Sequence, residues 1–427
     1  MAGVGLAMNR DPESGNHADA AGLQWFVFAL FFIFGGITSL NDVLIPKLKE
    51  LFTLNYMQAM LVQTAFFAAY AFISIPAAAL VKLLGYMRGA VFGLITMMAG
   101  CLLFIPASMS AAFPDFLRAL FVLASGVTIV QVVANPLISL LGPASTAHSR
   151  LTFAQAFNSL GTTIFPYVGT VIMLGSLASV SADQLSGAAL TAYRVAETGA
   201  IERAYLGLAV ALLVIAAAVW FNRSRLKEEK HEGWSILESF NLLRRGRFAF
   251  GALCIFLYVG AEVAVGSLIV NYVMQSHVLG LDEQAAGKLI PLYWGDALIG
   301  RFIGSAVLRV ISPGKVLGFN ALGAIALLII STQTTGLVSG YSYLAIGLMN
   351  SIMFPTIFSL ASEGLGKRAA DGSGLICVMI VGGAIVPPLT GHLADITGSL
   401  AMALVLPMCC YAIIAAFGWF ARKPLNG

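Results

Sequence analysis

Apolar blocks of about 20 residues or more follow one another along the chain, separated by short polar breaks. A helix that crosses a bilayer needs about 20 mainly apolar residues, because the hydrocarbon core is about 30 Å thick and each residue rises about 1.5 Å. The blocks run near 24–45, 56–82, 89–110, 116–141, 151–176 and 200–221, then near 248–275, 284–308, 316–335, 341–363, 373–393 and 400–421. Several breaks are so short that neighbouring helices must be antiparallel hairpins. The pattern predicts an all-α membrane protein of twelve spans.

Composition supports a lipid solvent. Of 427 residues, 59% are hydrophobic and 10% are charged, and the mean hydropathy is +0.88. Soluble domains carry about 25% charged residues, so a water-facing surface could not be built from this chain. The net charge of +4 lies scattered in short loops and does not imply a nucleic-acid partner. Cys101, Cys254, Cys377, Cys409 and Cys410 all lie in apolar blocks and read as small hydrophobes. Met1 to Gly22 lacks the basic start of a cleavable leader, so the first block is expected to be retained.

Lys and Arg set the orientation. With the N-terminus inside, 17 of them fall on cytoplasmic segments and 6 on outer ends. Both termini are therefore expected in the cytoplasm. The charged stretch 222–247 splits the chain into residues 23–221 and 248–421, flanked by short tails at 1–22 and 422–427. The halves echo each other: Asn135-Pro136 in span four answers Phe354-Pro355 in span ten at an offset of 219, and the basic turn Lys82, Gly85, Arg88 answers Arg309, Gly314, Lys315.

Ionisable side chains inside spans cost about 2.5 to 3.5 kcal/mol at the bilayer centre on insertion scales, so they face a cavity or a partner. Asp42, Glu262 and Asp296 are such acids. A desolvated carboxylate can load and release a proton; alternatively Asp42 is an interfacial group, Glu262 a structural one, and Asp296 a partner of Arg301. Amides suit hydroxyl ligands because they both donate and accept. Gln131 and Asn135 share a face of span four, and Gln155 and Asn158 a face of span five. Asn271 and Asn350 are isolated. Helix-to-helix bonding is the competing explanation for every one of these amides. Trp294, Phe354 and Phe358 could stack on a ring or simply pack. Lys82, Arg88, Arg301 and Arg309 are candidate gating residues, with simple positive-inside retention as the alternative. Asp371-Gly372 reads as a turn signal. No nucleotide-binding, hydrolase or metal motif is present, so neither an enzyme nor a cofactor is expected.

Longer strings are more specific. They are Leu40-Asn41-Asp42-Val43-Leu44-Ile45-Pro46, Ala134-Asn135-Pro136, Ala154-Gln155-Ala156-Phe157-Asn158-Ser159, Tyr258-Val259-Gly260-Ala261-Glu262, Gly300-Arg301-Phe302-Ile303-Gly304 and Asn350-Ser351-Ile352-Met353-Phe354-Pro355. Over residues 25 to 420 the chain resembles the fucose:proton symporter family of the major facilitator superfamily, and most of all its glucose/galactose branch. The resemblance implies two six-helix pseudo-repeats working by alternating access, with a sugar site at mid-membrane in a bacterial inner membrane. It implies a monosaccharide and a proton as partners, a monomer, and a place for Asn41 beside Asp42 at the site. A first-helix family acid maps onto Asp42. A fourth-helix acid maps onto Gln131, which cannot titrate. That departure shifts the expectation from fucose to hexoses and leaves proton, sodium or uncoupled transport open. A transporter-fold sensor or channel is the reading from another class.

Overall fold

The computed structural model describes residues 17–40, 44, 47–48, 51–54, 56–173, 185–222 and 239–423. These form twelve rods. In the first half they are α1 (His17–Ser39), α2 (Tyr56–Leu84), α3 (Tyr86–Ser110), α4 (Phe113–Leu140), α5 (Ala147–Met173) and α6 (Gly187–Asn222). In the second half α7 (Gly246–Val273), α8 (Ile290–Val307) and α9 (Pro313–Gln333) are continuous. The last three are segmented: α10 is Gly336–Leu344, Ile346–Asn350 and Met353–Ser362; α11 is Ala369–Val378, Met379–Val381 and Gly382–Thr397; α12 is Leu400–Ala403 and Val405–Phe420. Helices satisfy every backbone group internally, which is what a dry bilayer demands.

Ten rods are long and apolar enough to cross a membrane. The other two, α5 and α8, carry polar side chains at intervals: His148, Arg150, Gln155, Asn158 and Ser159 on one, Asp296 and Arg301 on the other. Those two helices pack on each other across the halves. Polarity there is sheltered by protein rather than exposed to lipid.

Some ends depart from the sequence pattern. Helix α6 begins at Gly187, well before the expected 200, and its extension is tied down by Lys47 to Glu197 at 2.7 Å and by Arg194 Nε to the Leu51 carbonyl at 2.8 Å. Helix α8 begins at Ile290 rather than 284. The Asp282 side chain caps a separate turn, Glu283–Gly287, and Pro291 then opens α8 at a position where its missing N–H costs nothing.

The halves meet through α2, α4 and α5 of the first and α8, α10 and α11 of the second. The main joints are α5 on α8 and α2 on α11, each the image of the other under the pseudo-repeat. The second joint needs glycine: a Cβ on Gly374 would sit 2.6 Å from the Ala78 Cβ and 2.9 Å from the Ser74 carbonyl.

Candidate functional site

The repeated prolines place the first polar contacts. Proline has no N–H, so the carbonyl four residues earlier loses its helical donor. Pro136 releases Val132, whose carbonyl accepts from Ser373 Oγ of α11 at 2.9 Å. Pro355 releases Ser351, whose carbonyl accepts from Arg301 Nε of α8 at 3.1 Å. Val132 and Ser351 are themselves 219 apart, so the two freed acceptors are equivalent points of the two halves.

Arg301 does more than fill that gap. Its Nη1 donates across the joint to the Gln155 carbonyl at 3.0 Å and to Ser159 Oγ, both on α5. It is buried, its acceptors are neutral, and it forms no ion pair among the described residues. Asp296 is half-buried and does not pair with it.

A layer of ions closes the same end of the bundle, where α2, α4, α8 and α10 turn into their successors. Lys82 Nζ reaches Asp371 Oδ2 at 2.6 Å, and Arg368 Nε approaches the same oxygen at 3.6 Å. Ser239 Oγ donates to Asp371 Oδ1 at 3.0 Å. Asp371-Gly372 is thus no turn. It opens α11 with a buried carboxylate in the first helical turn, where the helix dipole favours negative charge. His148 of α5 lies 2.6 Å from Ser359 Oγ and 3.1 Å from Glu363 Oε1, and Glu363 also bonds Arg247. Arg309 Nε donates to Ser149 Oγ at 3.2 Å, and Ser149 Oγ donates to the Ser305 carbonyl at 2.6 Å. Arg88 is exposed.

Tyrosines organise the amides in both halves. Tyr70 Oη of α2 donates to Gln131 Oε1 of α4 at 2.9 Å. In the second half Asn350 Nδ2 of α10 donates to Tyr293 Oη of α8 at 2.8 Å. Gln131 and Asn350 are also 219 apart, so the same helix pair carries a tyrosine–amide contact in each half. With Oε1 engaged, the Gln131 amino group keeps both hydrogens, and the Gln155 side chain is likewise uncommitted among the described residues. Tyr258 Oη lies 2.7 Å from Glu262 Oε1, one turn along α7, and 3.0 Å from the Asn350 carbonyl.

The remaining sequence candidates are dispersed. Asn135 is fully buried and neither of its amide atoms finds a partner; one such orphan costs about 1–3 kcal/mol. Asn158 donates to the Phe31 carbonyl of α1 at 3.4 Å. Asn271 is exposed near the end of α7. Phe354 and Phe358 are buried against each other, while Trp294 packs edge-on to Tyr293. Asn41 and Asp42 lie outside the described residues. Sequence reasoning gave no role to Tyr70, Tyr258, Tyr293, His148 and Glu363, and read Asp371 only as part of a turn. The one readable sign was the spacing of four between Tyr258 and Glu262.

A twelve-rod bundle whose halves join through equivalent helices, with unpaired hydrogen-bonding groups just above an ionic closure, is an architecture for moving solutes. Residues 26–379 match the Major Facilitator Superfamily. The chain belongs to that superfamily.

Within it, the fucose:proton symporter family is where this facilitator falls. It is 48% identical over 394 residues to the glucose/galactose transporter of Brucella abortus, covering 92% of each chain. It is 33% identical over 403 residues to the L-fucose-proton symporter of Escherichia coli, again covering 92% of each. Among solved structures it superposes on the crystal structure of the transporter FucP in the outward conformation with a TM-score of 0.85 at 32% identity, covering 95% of this facilitator and 100% of that chain. It is a multi-pass membrane transporter, not an enzyme.

Proposed function

We propose that this transporter imports a hexose of the glucose/galactose type together with protons, by alternating access. The observation that carries the reading is that Gln131 and Gln155 of the first half and Glu262 of the second keep hydrogen-bonding groups inside a bundle whose halves are joined by polar contacts that water can replace. Donors on Gln131 and Gln155 and an acceptor on Glu262 match a sugar hydroxyl, which both donates and accepts. The names of the two similar transporters support a sugar and, for one, a proton.

On this reading, residues 23–221 and 248–421 are the two bundles that rock against each other. The Lys and Arg distribution puts the ionic closure on the cytoplasmic side, so the structure is the outward-facing state. Both termini lie in the cytoplasm of a bacterial-type inner membrane. Lys82, Arg301 and Arg309 act as gating residues, Asp42 and Glu262 carry the coupling protons, and Gln131 and Gln155 with Asn41 and Asp296 line the sugar path. One chain supplies both halves of the site, so a monomer suffices.

Uptake of labelled glucose and galactose into proteoliposomes, with pH, sodium and voltage gradients imposed separately, tests the proposal. Accumulation driven by the pH gradient alone is expected. Accumulation driven only by sodium, or exchange without accumulation, would replace proton coupling, in keeping with the uncharged Gln131. Absence of counterflow exchange would replace the carrier reading with a sensor or channel.

A further inference from the structure

A phenol has one proton to give, yet Tyr258 Oη sits between two oxygens, Glu262 Oε1 at 2.7 Å and the Asn350 carbonyl at 3.0 Å. A carbonyl only accepts. Both bonds are made together when the Glu262 carboxyl donates to Tyr258 and Tyr258 donates onward to Asn350. An ionised Glu262 accepts from Tyr258 and leaves the Asn350 carbonyl without that donor, whereas a protonated Glu262 allows both bonds.

Arg301 tells the same story from the other side. It is the cation that faces Glu262 electrostatically; the other ionisable groups that do so are Tyr258 on the same helix, Tyr293 from α8 and Tyr411 from α12. Arg301 Nε and Tyr258 Oη reach consecutive carbonyls of α10, those of Ser351 and Asn350, and a guanidinium that meets a carboxylate forms a charge-assisted pair. Here Arg301 instead spends its donors on the Ser351 carbonyl, the Gln155 carbonyl and Ser159 Oγ, all neutral. Two of those acceptors belong to α5, across the joint. The side chain thus has two competing uses: holding the halves together, or neutralising Glu262.

We propose that Arg301 and Glu262 form a device against proton leak, in which Arg301 stays latched on α5 for as long as Glu262 holds its proton. The inference rests on the proton-symport reading above and deepens it. A protonated but empty carrier stays closed to the cytoplasm. Sugar arriving at Gln155 disturbs the α5 latch and lets the loaded carrier open. At the cytoplasmic mouth the Glu262 O–H bond breaks, the proton passes to water, and the carboxylate left behind draws Arg301 to itself. The empty, deprotonated carrier is then unlatched and free to return.

The test is proton influx into proteoliposomes loaded with a pH-sensitive dye, under an inward proton gradient with the voltage clamped. The wild type should admit protons only when sugar is added. Arg301→Met should admit them without sugar, by about tenfold over the wild type. Arg301→Lys keeps the charge but loses the fork of donors, and should fall between. The double variant Arg301→Met with Glu262→Gln should leak less than Arg301→Met alone, because the carboxyl that the latch answers to no longer carries a proton. A tight Arg301→Met that still exchanges sugar would overturn the inference, as would a leak that Glu262→Gln leaves undiminished. If Arg301→Met exchanges no sugar, Arg301→Gln, which keeps an amide donor, is read by the same criterion. A wild type with no sugar-triggered proton influx would instead sink the symport reading itself.

Discussion

Removing the Asp371 carboxylate should open the ion-paired end of this transporter more than removing its lysine partner. In the closed state Lys82 and Asp371 are nearly dehydrated, with side chains 13% and 1% exposed. Deleting one member of a buried pair leaves the other charge stranded, a cost of about 3–5 kcal/mol. The two deletions are not equivalent here. Asp371→Asn strands Lys82 and also takes away the carboxylate facing Arg368 and Ser239. Lys82→Met leaves Asp371 with Arg368 at 3.6 Å and the Ser239 hydroxyl, so its cost should be about half as large. The open state rehydrates whatever survives, so the loss falls on the closed state alone. For Asp371→Asn, about 3 kcal/mol shifts the closed-to-open ratio by about 150-fold. Spin labels at Leu140→Cys and Val310→Cys, both exposed where α4 and α8 end, would report the separation by double electron–electron resonance. Cys409, the one exposed cysteine among the described residues, would be replaced by serine. A long-distance population that dominates in Asp371→Asn and is partial in Lys82→Met is expected. Equal responses, or a larger one from Lys82→Met, would show that the pair does not hold the closure as argued.

Other expectations follow from the same contacts. Gln131→Ala should weaken sugar binding by about 1–3 kcal/mol in a calorimetric titration, the usual cost of an unsatisfied buried partner, and Tyr70→Phe by less, since it frees Oε1 without removing the amide. Unchanged affinity in a folded Gln131→Ala protein would make that residue packing only. Asp42→Asn should abolish accumulation against a gradient and leave counterflow partly intact; equal loss of both would point to folding or binding instead. Gly374→Val should drive α11 from α2, because even its Cβ meets the Ser74 carbonyl at 2.9 Å, and the same spin-label pair should report more of the open state. A short-distance profile like that of the wild type would show that the joint absorbs the side chain.

Much of the candidate site was visible as residue types before any fold was known. Glu262 stands out because a carboxylate in an apolar block demands an explanation, and Gln131 because an amide there must bond to something. What each bonds to was not visible. The alternative partner weighed for Arg301 on its own helix, Asp296, is five residues away and out of register; the partners in the fold include the carbonyls of Gln155 and Ser351, 146 and 50 positions distant. Asp371 was misjudged because Asp-Gly is a frequent turn pair, and only the packing of α11 on α2 makes it the buried end of an ion pair.

The sequence by itself determined the rods and their number, because a bilayer leaves a backbone no alternative to the helix. It also determined the two-fold repeat, through prolines 219 residues apart. Only the tertiary structure decided which face of each rod turns inward and which carbonyl freed by a proline meets which donor. A helix in lipid is apolar nearly all round, so its own pattern carries little record of its rotation. That rotation is settled by close contacts such as Gly374 on Ser74, and with it whether an amide such as Gln131 faces Tyr70, a neighbouring backbone or open space.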